Sequence, residues 1–117
     1  FQKNNKTIPI EVTEIISQNV FFDYQAKYTP GFSHHILPAK IPNIVYEKCK
    51  EFAKIAHEKF CCQGISRADF IYDNNKLYFL ELNTQPGLTS ISLVPEQLKY
   101  HEITFEDLIL NIINCAL

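Results

Sequence analysis

Residues 65–83 read ISRADFIYDNNKLYFLELN, and this stretch decides the fold of the chain. Its two halves are rich in aromatic and β-branched residues, which favour strands. Between them, residues 73–76 have the polar composition of a tight turn. The sequence therefore predicts an antiparallel β-hairpin with strands at residues 65–72 and 77–83.

Oxygen-bearing side chains interrupt the apolar pattern of both strands. Asp69 lies on the first strand, Glu81 and Asn83 lie on the second, and Arg67 precedes Asp69 by two residues. Carboxylate and amide oxygens suit a hard divalent cation such as Mg²⁺. Burial of an unpaired carboxylate is costly, so Glu81 in an apolar strand favours metal ligation over a water-exposed polar face. Arg67 is compatible with two roles, an ion pair with these carboxylates or a contact with phosphate or an oxyanion.

The register of the hairpin decides whether these side chains meet. Cross-strand partners share a face, so Asp69 can oppose Glu81 only if the loop has an odd number of residues. We predict a three-residue loop at residues 74–76 with an asparagine at positive φ. Arg67 would then oppose Asn83, and the close carboxylates would repel each other unless a cation were bound. The predicted shared face contains Arg67, Asp69 and Ile71 on the first strand and Leu77, Phe79, Glu81 and Asn83 on the second.

The residues before the hairpin predict two strands, a loop and a helix. Alternation of Ile8, Ile10 and Val12 predicts one strand, and a second is predicted at residues 20–26. Residues 29–42 contain three prolines and a glycine and predict a long loop of the kind that often acts as a lid. His34 and His35 in this loop lack a neighbouring ligand that would complete a metal site.

Three helices complete the prediction. Asn43 is a plausible N-cap for a helix to about residue 60, Pro95 can start a short helix, and Thr104 with Asp107 resembles a capping box. The fold class is therefore α+β, an antiparallel sheet that includes the hairpin, with the first and last helices on one face. The apolar faces of these two helices contain Val45, Cys49, Phe52, Ala53, Ala56 and Phe60 in the first and Phe105, Leu108, Ile109, Ile112, Ile113 and Ala116 in the last.

Bulk composition limits the classes of function. A length of 117 residues suits one modest domain or a piece of a larger one. The net charge of −2 provides no electrostatic footprint for nucleic acid or an anionic membrane, and no apolar run is long enough to span a bilayer. The four cysteines form no C-x-x-C pair, which favours reduced thiols in a cytoplasmic protein. The sequence has no methionine, so we expect a processed chain or a fragment.

Three segments resemble a known family. Residues 22–28 (FDYQAKY), 64–69 (GISRAD) and 80–95 (LELNTQPGLTSISLVP) resemble the C-terminal part of the D-alanine–D-alanine ligases, in the ATP-grasp superfamily. The likeness covers nearly the whole chain, in order, and the run at residues 92–95 is specific to these ligases. The resemblance implies that residues 1–117 are the C-terminal part of an ATP-grasp domain that lacks its N-terminal domain and glycine-rich loop.

The resemblance also implies a reaction and its partners. ATP would phosphorylate the carboxylate of one D-alanine, and the amine of a second would attack the acyl phosphate, in the cytoplasm, to supply peptidoglycan precursors for the cell wall. The cofactors would be ATP and two Mg²⁺ or Mn²⁺ ions, with no nucleic-acid or membrane partner, and the full-length enzyme could be a homodimer. Because half of the nucleotide cleft is missing, we expect the chain alone to be inactive or nearly so.

Metal and oxyanion roles follow from the same resemblance. Asp69, Glu81 and Asn83 would hold the two metal ions on the nucleotide phosphates, with Glu81 shared between them. Arg67 and the backbone N–H of Gly87 would stabilise the tetrahedral oxyanion.

Substrate and nucleotide roles fall on both sides of the hairpin. Ser92 and the backbone of Leu93 would bind the carboxylate of the second D-alanine. Lys27 would contact phosphate, and Tyr28 would help a mobile loop close over the site. The adenine slot would be lined by Phe21 and Leu80.

Two alternatives stay open, and one position departs from the family pattern. Gln25 occupies a position where the family commonly has glutamate. The chain could be a truncated, non-enzymatic remnant that binds magnesium weakly. It could also be a different ATP-grasp carboxylate–amine ligase, although residues 27–28 and 92–93 argue against this.

Overall fold

The architecture is that of a computed structural model, which describes residues 1–17 and 33–117. Six short strands and three helices lie within these residues, so the α+β class predicted from the sequence is confirmed. In chain order the elements are β1 (Gln2–Lys3), β2 (Lys6–Thr7), β3 (Glu14–Ser17), β4 (Ser33–Ile36), α1 (Asn43–Lys59), β5 (Arg67–Asp73), β6 (Lys76–Asn83), α2 (Leu93–Tyr100) and α3 (Phe105–Ala116).

The described strands form three antiparallel pairs, β1–β2, β3–β4 and β5–β6. The predicted strand over residues 8–12 is wrong, because residues 8–13 have no regular secondary structure and strands lie on either side of them. Pro9 lacks the N–H that a ladder requires. The backbone N–H of Ala39 still donates to the Val12 carbonyl at 2.9 Å, beyond the end of the β3–β4 ladder.

Part of the predicted loop at residues 29–42 is the strand β4. It pairs with β3 from Glu14 opposite Ile36 to Ser17 opposite Ser33. The prolines and glycine around it favour a loop locally, but pairing with a distant strand overrides that preference. The strand predicted at residues 20–26 lies outside the described residues.

Helix α1 matches its predicted position to within one residue. Asn43 is its first helical residue rather than its cap, because Pro42 occupies the N-cap position and no side chain caps the helix. The buried face is narrower than predicted: Phe52 and Phe60 are 41% and 70% exposed. Its buried residues are Val45, Cys49 and His57, and the helix contacts both strands of the β5–β6 hairpin.

The hydrophobic core joins the approach to β5 with the last two helices. Its buried members are Ile65, Val94, Leu98 and Leu108, of which Leu108 is 0% exposed. Helix α3 contacts α2 and β1. The predicted capping box at its start is confirmed, since the Asp107 N–H donates to the Thr104 Oγ1 at 3.1 Å and the Thr104 N–H donates to the Asp107 carboxylate at 3.2 Å.

Helix α2 starts at Leu93, two residues before the start predicted from Pro95. On α3, only part of the predicted apolar face is covered: Phe105 and Ile113 are 53% and 49% exposed. Gly64, just before β5, has φ of +70°, a conformation that glycine adopts without steric cost.

Candidate functional site

A tight turn closes the β5–β6 hairpin. Asp73 pairs with Lys76, so the turn has two residues, Asn74 and Asn75, with φ of 47° and 63°. Two consecutive positive φ values are typical of the type I′ turn, whose twist suits a two-residue hairpin. The predicted three-residue loop is therefore wrong, because Lys76 belongs to the ladder.

A β-bulge restores the predicted register. Phe70 pairs with Phe79 and Asp69 pairs with Glu81, which leaves Leu80 without a cross-strand partner. The extra residue compensates for the shorter turn. Asp69 opposite Glu81, with Arg67 opposite Asn83, was predicted from the sequence and is confirmed.

The bulge also redistributes side chains between the two faces of the hairpin. Phe79 and Glu81 share a face in a regular strand, but here they pair with Phe70 and Asp69, which alternate on β5. The prediction that Leu77 and Phe79 share the face of Glu81 is therefore wrong. Phe79 packs edge-to-face on Phe70 with ring centroids 5.6 Å apart. The polar face contains Arg67, Asp69, Ile71, Tyr78, Glu81 and Asn83.

Arg67 forms a two-point ion pair with Asp69. Its Nε donates to the Asp69 Oδ1 at 2.7 Å and a terminal nitrogen donates to Oδ2 at 2.8 Å. Both side chains are partly buried, at 19% and 29% exposure. The sequence is compatible with two roles for Arg67, and this contact corresponds to the first of them, an ion pair with a carboxylate. Each Asp69 oxygen keeps a further lone pair with which to bind a cation.

The other two oxygen donors differ in their surroundings. The Asn83 Oδ1 accepts the backbone N–H of Gln85 at 2.9 Å, which orients the side chain. Glu81 is exposed, so the burial argument for metal ligation fails and the case depends on the cross-strand register. No cluster of three or more His, Cys, Asp or Glu side chains suited to a metal occurs in residues 1–17 and 33–117, and the third donor here is an amide.

The segment after β6 is compact around Ser92, the N-cap residue of α2. The Ser92 Oγ accepts the Thr89 N–H at 3.0 Å and lies 2.7 Å from the Thr89 Oγ1. A Cβ atom at Gly87 would lie 2.9 Å from the Ser92 Oγ, closer than such atoms pack. A side chain at residue 87 would therefore displace the Ser92 hydroxyl from its contacts with Thr89. Leu93 follows as the first residue of the helix.

Three polar contacts join α2 to the segment around β3 and β4. The His35 Nδ1 lies 2.5 Å from the Glu96 Oε2, the Gln97 Nε2 donates to the Thr13 Oγ1 at 2.9 Å, and the His101 Nε2 lies 3.0 Å from a carboxylate oxygen of Glu11. The partners are 61 to 90 residues apart, so no local pattern predicts them. The three acceptor residues are Glu96, Thr13 and Glu11.

His57 is a buried polar residue to which the sequence analysis assigned no functional role. It is 2% exposed, and its Nδ1 lies 2.7 Å from the Oγ of Ser66, the neighbour of Arg67. Burial lowers the pKa of His57, because an imidazolium would lose its hydration there. Its Nε2 has no hydrogen-bond partner among the described residues.

The described chain therefore brings together four of the predicted site residues on one hairpin face, namely Arg67, Asp69, Glu81 and Asn83. Gly87, Ser92 and Leu93 form a second group at the start of α2. Leu80 is the bulge residue and is 56% exposed. Phe21, Lys27 and Tyr28 lie outside the described residues.

Of the helices in the described part of the chain, none has the length and the apolar composition needed to cross a bilayer.

The α+β fold, with an oxygen-lined hairpin followed by a glycine–serine segment, fits the class predicted from the sequence, the C-terminal part of an ATP-grasp ligase. The family model for the D-Ala–D-Ala ligase C-terminus matches residues 2–114, and the chain belongs to this family.

Curated relatives of this chain are D-alanine–D-alanine ligases that are longer than the chain. A D-alanine–D-alanine ligase of Rhodospirillum rubrum is 46% identical over 105 residues, which are 90% of this chain and 35% of the relative. One from Caulobacter sp. strain K31 is 45% identical over 116 residues, 97% of this chain and 36% of the relative. The chain thus spans about a third of the length of the relatives it matches.

Solved structures agree with the sequence relatives. The crystal structure of a D-alanine–D-alanine ligase from Bacillus anthracis superposes with a TM-score of 0.70 at 26% identity, covering 92% of this chain and 35% of that one. A structure of the same ligase in complex with ATP gives the same values.

Proposed function

We propose that this chain is the C-terminal part, over residues 1–117, of an ATP-dependent ligase that joins two D-alanines through an acyl phosphate. The product would supply peptidoglycan precursors in the cytoplasm. The observation that carries the proposal is the register of one hairpin, where Asp69 opposes Glu81 and Arg67 opposes Asn83 in a member of the ligase family.

The donor set fits two Mg²⁺ or Mn²⁺ ions. Directly opposed residues of an antiparallel pair have Cβ atoms about 4.5–5.5 Å apart, close enough for Asp69 and Glu81 to share an ion. Their oxygens and that of Asn83 are the ligands that hard cations prefer. When bound, the ions would neutralise charge on the ATP phosphates.

Arg67 and Gly87 are suited to an oxyanion. The two-point pair with Asp69 holds the Arg67 guanidinium in one orientation. A fixed donor costs no reorganisation when negative charge develops on the substrate, which is the condition for electrostatic stabilisation. The backbone N–H of Gly87 would be the second donor.

The acceptor D-alanine would bind at the start of α2. Backbone N–H groups at a helix N-terminus attract anions, and here they belong to the residues that follow Ser92. Its carboxylate would contact Ser92 and the backbone of Leu93. The nucleotide contacts proposed from the family resemblance involve Phe21, Lys27, Leu80 and Glu81, and Tyr28 would help to enclose the site.

The test joins this chain to the preceding part of the Rhodospirillum rubrum relative and measures D-alanine-dependent phosphate release from ATP. We expect turnover in the joined protein, and little or none in the 117-residue chain alone. Arg67→Ala should lower kcat about 100- to 1,000-fold, as loss of one oxyanion donor does. Asp73→Asn, at the exposed end of β5 next to the turn, is the matched control and should retain activity.

Two results would contradict the proposal. One is a folded joined protein without D-alanine-dependent turnover. The other is equal activity of the Arg67→Ala and Asp73→Asn variants. Replacement of D-alanine by D-lactate as the second substrate distinguishes a ligase that requires an amine nucleophile from one that accepts a hydroxyl, and we expect D-alanine to be preferred.

A further inference from the structure

Helix α2 carries an acidic side chain in the turn proposed to bind the substrate carboxylate. Glu96 lies in the first turn, and its backbone N–H donates to the Ser92 carbonyl at 3.3 Å. A carboxylate side chain near a helix N-terminus is attracted by the same positive end that would attract a bound anion. Glu96 and a substrate carboxylate would therefore compete for this end and repel each other.

A histidine from another element contacts the Glu96 carboxylate. The His35 Nδ1, on β4, lies 2.5 Å from the Glu96 Oε2. The side chains are 18% and 35% exposed, so solvent and salt screen this pair less than a fully exposed one. A carboxylate can only accept, so the His35 ring donates the Nδ1–H of this hydrogen bond to Glu96.

The same helix offers an internal comparison. At its other end, the His101 Nε2 lies 3.0 Å from a Glu11 carboxylate oxygen, with a more exposed histidine. This second His–Glu contact also fastens α2 to the segment before β3, but it lies at the C-terminal end of α2, away from Ser92. Only the His35 contact involves a carboxylate in the turn that follows Ser92.

We infer that His35 is a positioning residue for the acceptor site: its hydrogen bond holds the Glu96 carboxylate, so that the start of α2 accepts the carboxylate of a small amino acid. The inference rests on the proposed function. It means that His35 and Glu96 together set the affinity of the start of α2 for an anion. Because the effect is electrostatic, Glu96 should oppose substrate binding whenever His35 is absent.

Nuclear magnetic resonance titration of the 117-residue chain with D-alanine tests this, with the backbone amide signals of Leu93 and Glu96 as the readout. His35→Ala should weaken binding about three- to fivefold, the range of one charge at a helix N-terminus. Glu96→Gln should bind as well as the unmodified chain or more tightly. The double variant should return to within about twofold of the original affinity. His101→Ala is the matched control and should leave binding unchanged.

The outcomes separate this inference from the proposed function. The inference alone would be overturned if Glu96→Gln weakened D-alanine binding as much as His35→Ala does and the double variant did not recover affinity. The His35–Glu96 contact would then have only a structural role. No saturable shift of the Leu93 signal in the unmodified chain would overturn both the acceptor site and the inference. Glu96→Gln keeps the size of the side chain and one acceptor oxygen but removes its charge, so it decides the sign of the effect even if His35→Ala does not fold.

Discussion

The β5–β6 hairpin and the β3–β4 ribbon are both two-stranded antiparallel pairs, yet different parts of the chain determine them. In β5–β6 a two-residue asparagine turn joins the strands. In β3–β4 the strands are separated by residues 18–32, and polar contacts reach α2, which lies more than 50 residues further along the chain. One pair is specified locally, whereas the other depends on distant contacts.

The difference also extends to packing. Ile65, two residues before β5, belongs to the buried core with Leu108, whereas Ile15 and Ile16 on β3 are 37% and 50% exposed. The core thus anchors the hairpin that carries the proposed metal ligands. The ribbon contributes one His–Glu contact to the proposed acceptor site.

The largest expected effect tests that difference in packing. Leu108→Ala should lower the free energy of unfolding by about 2–5 kcal/mol, because it leaves a cavity in the core. Ile16→Ala, on the half-exposed face of β3, should cost less than about 1 kcal/mol. Urea unfolding of both variants measures the two values. Equal losses would mean that β3 is as firmly packed as the core.

The anchoring of β5 to α1 through His57 and Ser66 is expected to depend on pH. Ser66→Ala leaves a buried imidazole nitrogen without its partner and should cost about 1–3 kcal/mol. Burial lowers the folded-state pKa of His57, so the unfolded chain binds more protons in acid. Stability should therefore be complete above the unfolded-state pKa and should fall as the pH drops through the folded-state value.

Thermal unfolding of the chain and of a His57→Gln variant between neutral and mildly acidic pH checks this sign. The decrease in stability toward acid should be smaller in the variant. His101→Asn, at an exposed position, is the control and should keep the decrease of the unmodified chain. A decrease of the same size in His57→Gln would assign the pH dependence to other groups.

Changes at the bulge test whether register alone brings the metal ligands together. Insertion of an alanine after Leu80 should move Glu81 and Asn83 to the opposite face and weaken Mn²⁺ binding about tenfold or more. Deletion of Leu80 should leave Asp69 opposite Glu81 in a regular ladder and should retain binding. Electron paramagnetic resonance of Mn²⁺ with each folded variant measures this. Retained binding after the insertion would separate the metal site from the register.

The smallest effect is expected at the turn itself. Asn75 has φ of +63°, so Asn75→Ala should destabilise the chain by about 1 kcal/mol, because alanine tolerates this conformation poorly. Asn75→Gly is the paired variant and should be neutral or slightly stabilising, since glycine adopts it freely. Urea unfolding compares the two. Equal destabilisation would show that the side chain, rather than the backbone conformation, matters at this turn.

Much of the hairpin could be predicted from the sequence, though not by the correct route. The opposition of Asp69 to Glu81 was right, but the odd residue lies in the bulge at Leu80 rather than in the turn. A pattern of apolar residues cannot distinguish an extra residue in the turn from an extra residue in a bulge, because each shifts the register by one residue. The prediction that Glu81 is buried was also wrong, since a run of apolar neighbours does not reveal which face of the strand is covered.

The roles of His35 and His57 could not be predicted. Each has a partner on another element, Glu96 on α2 for the first and Ser66 before β5 for the second. His57 falls within an amphipathic helix, where the periodicity indicates a position on the buried face but not its polar partner.

By itself, the sequence determined those features that follow from neighbouring residues: the α+β class, the location of the hairpin turn though not its length, the approximate helix positions and the capping box of α3. Backbone conformation and amphipathic periodicity are local properties, so a single chain reveals them. Only the tertiary structure decided the position of the bulge, the pairing of β4 with β3 and the contact of His35 with Glu96. These depend on which distant surfaces meet, because the free energy of burial and ion pairing arises only when separate elements pack together.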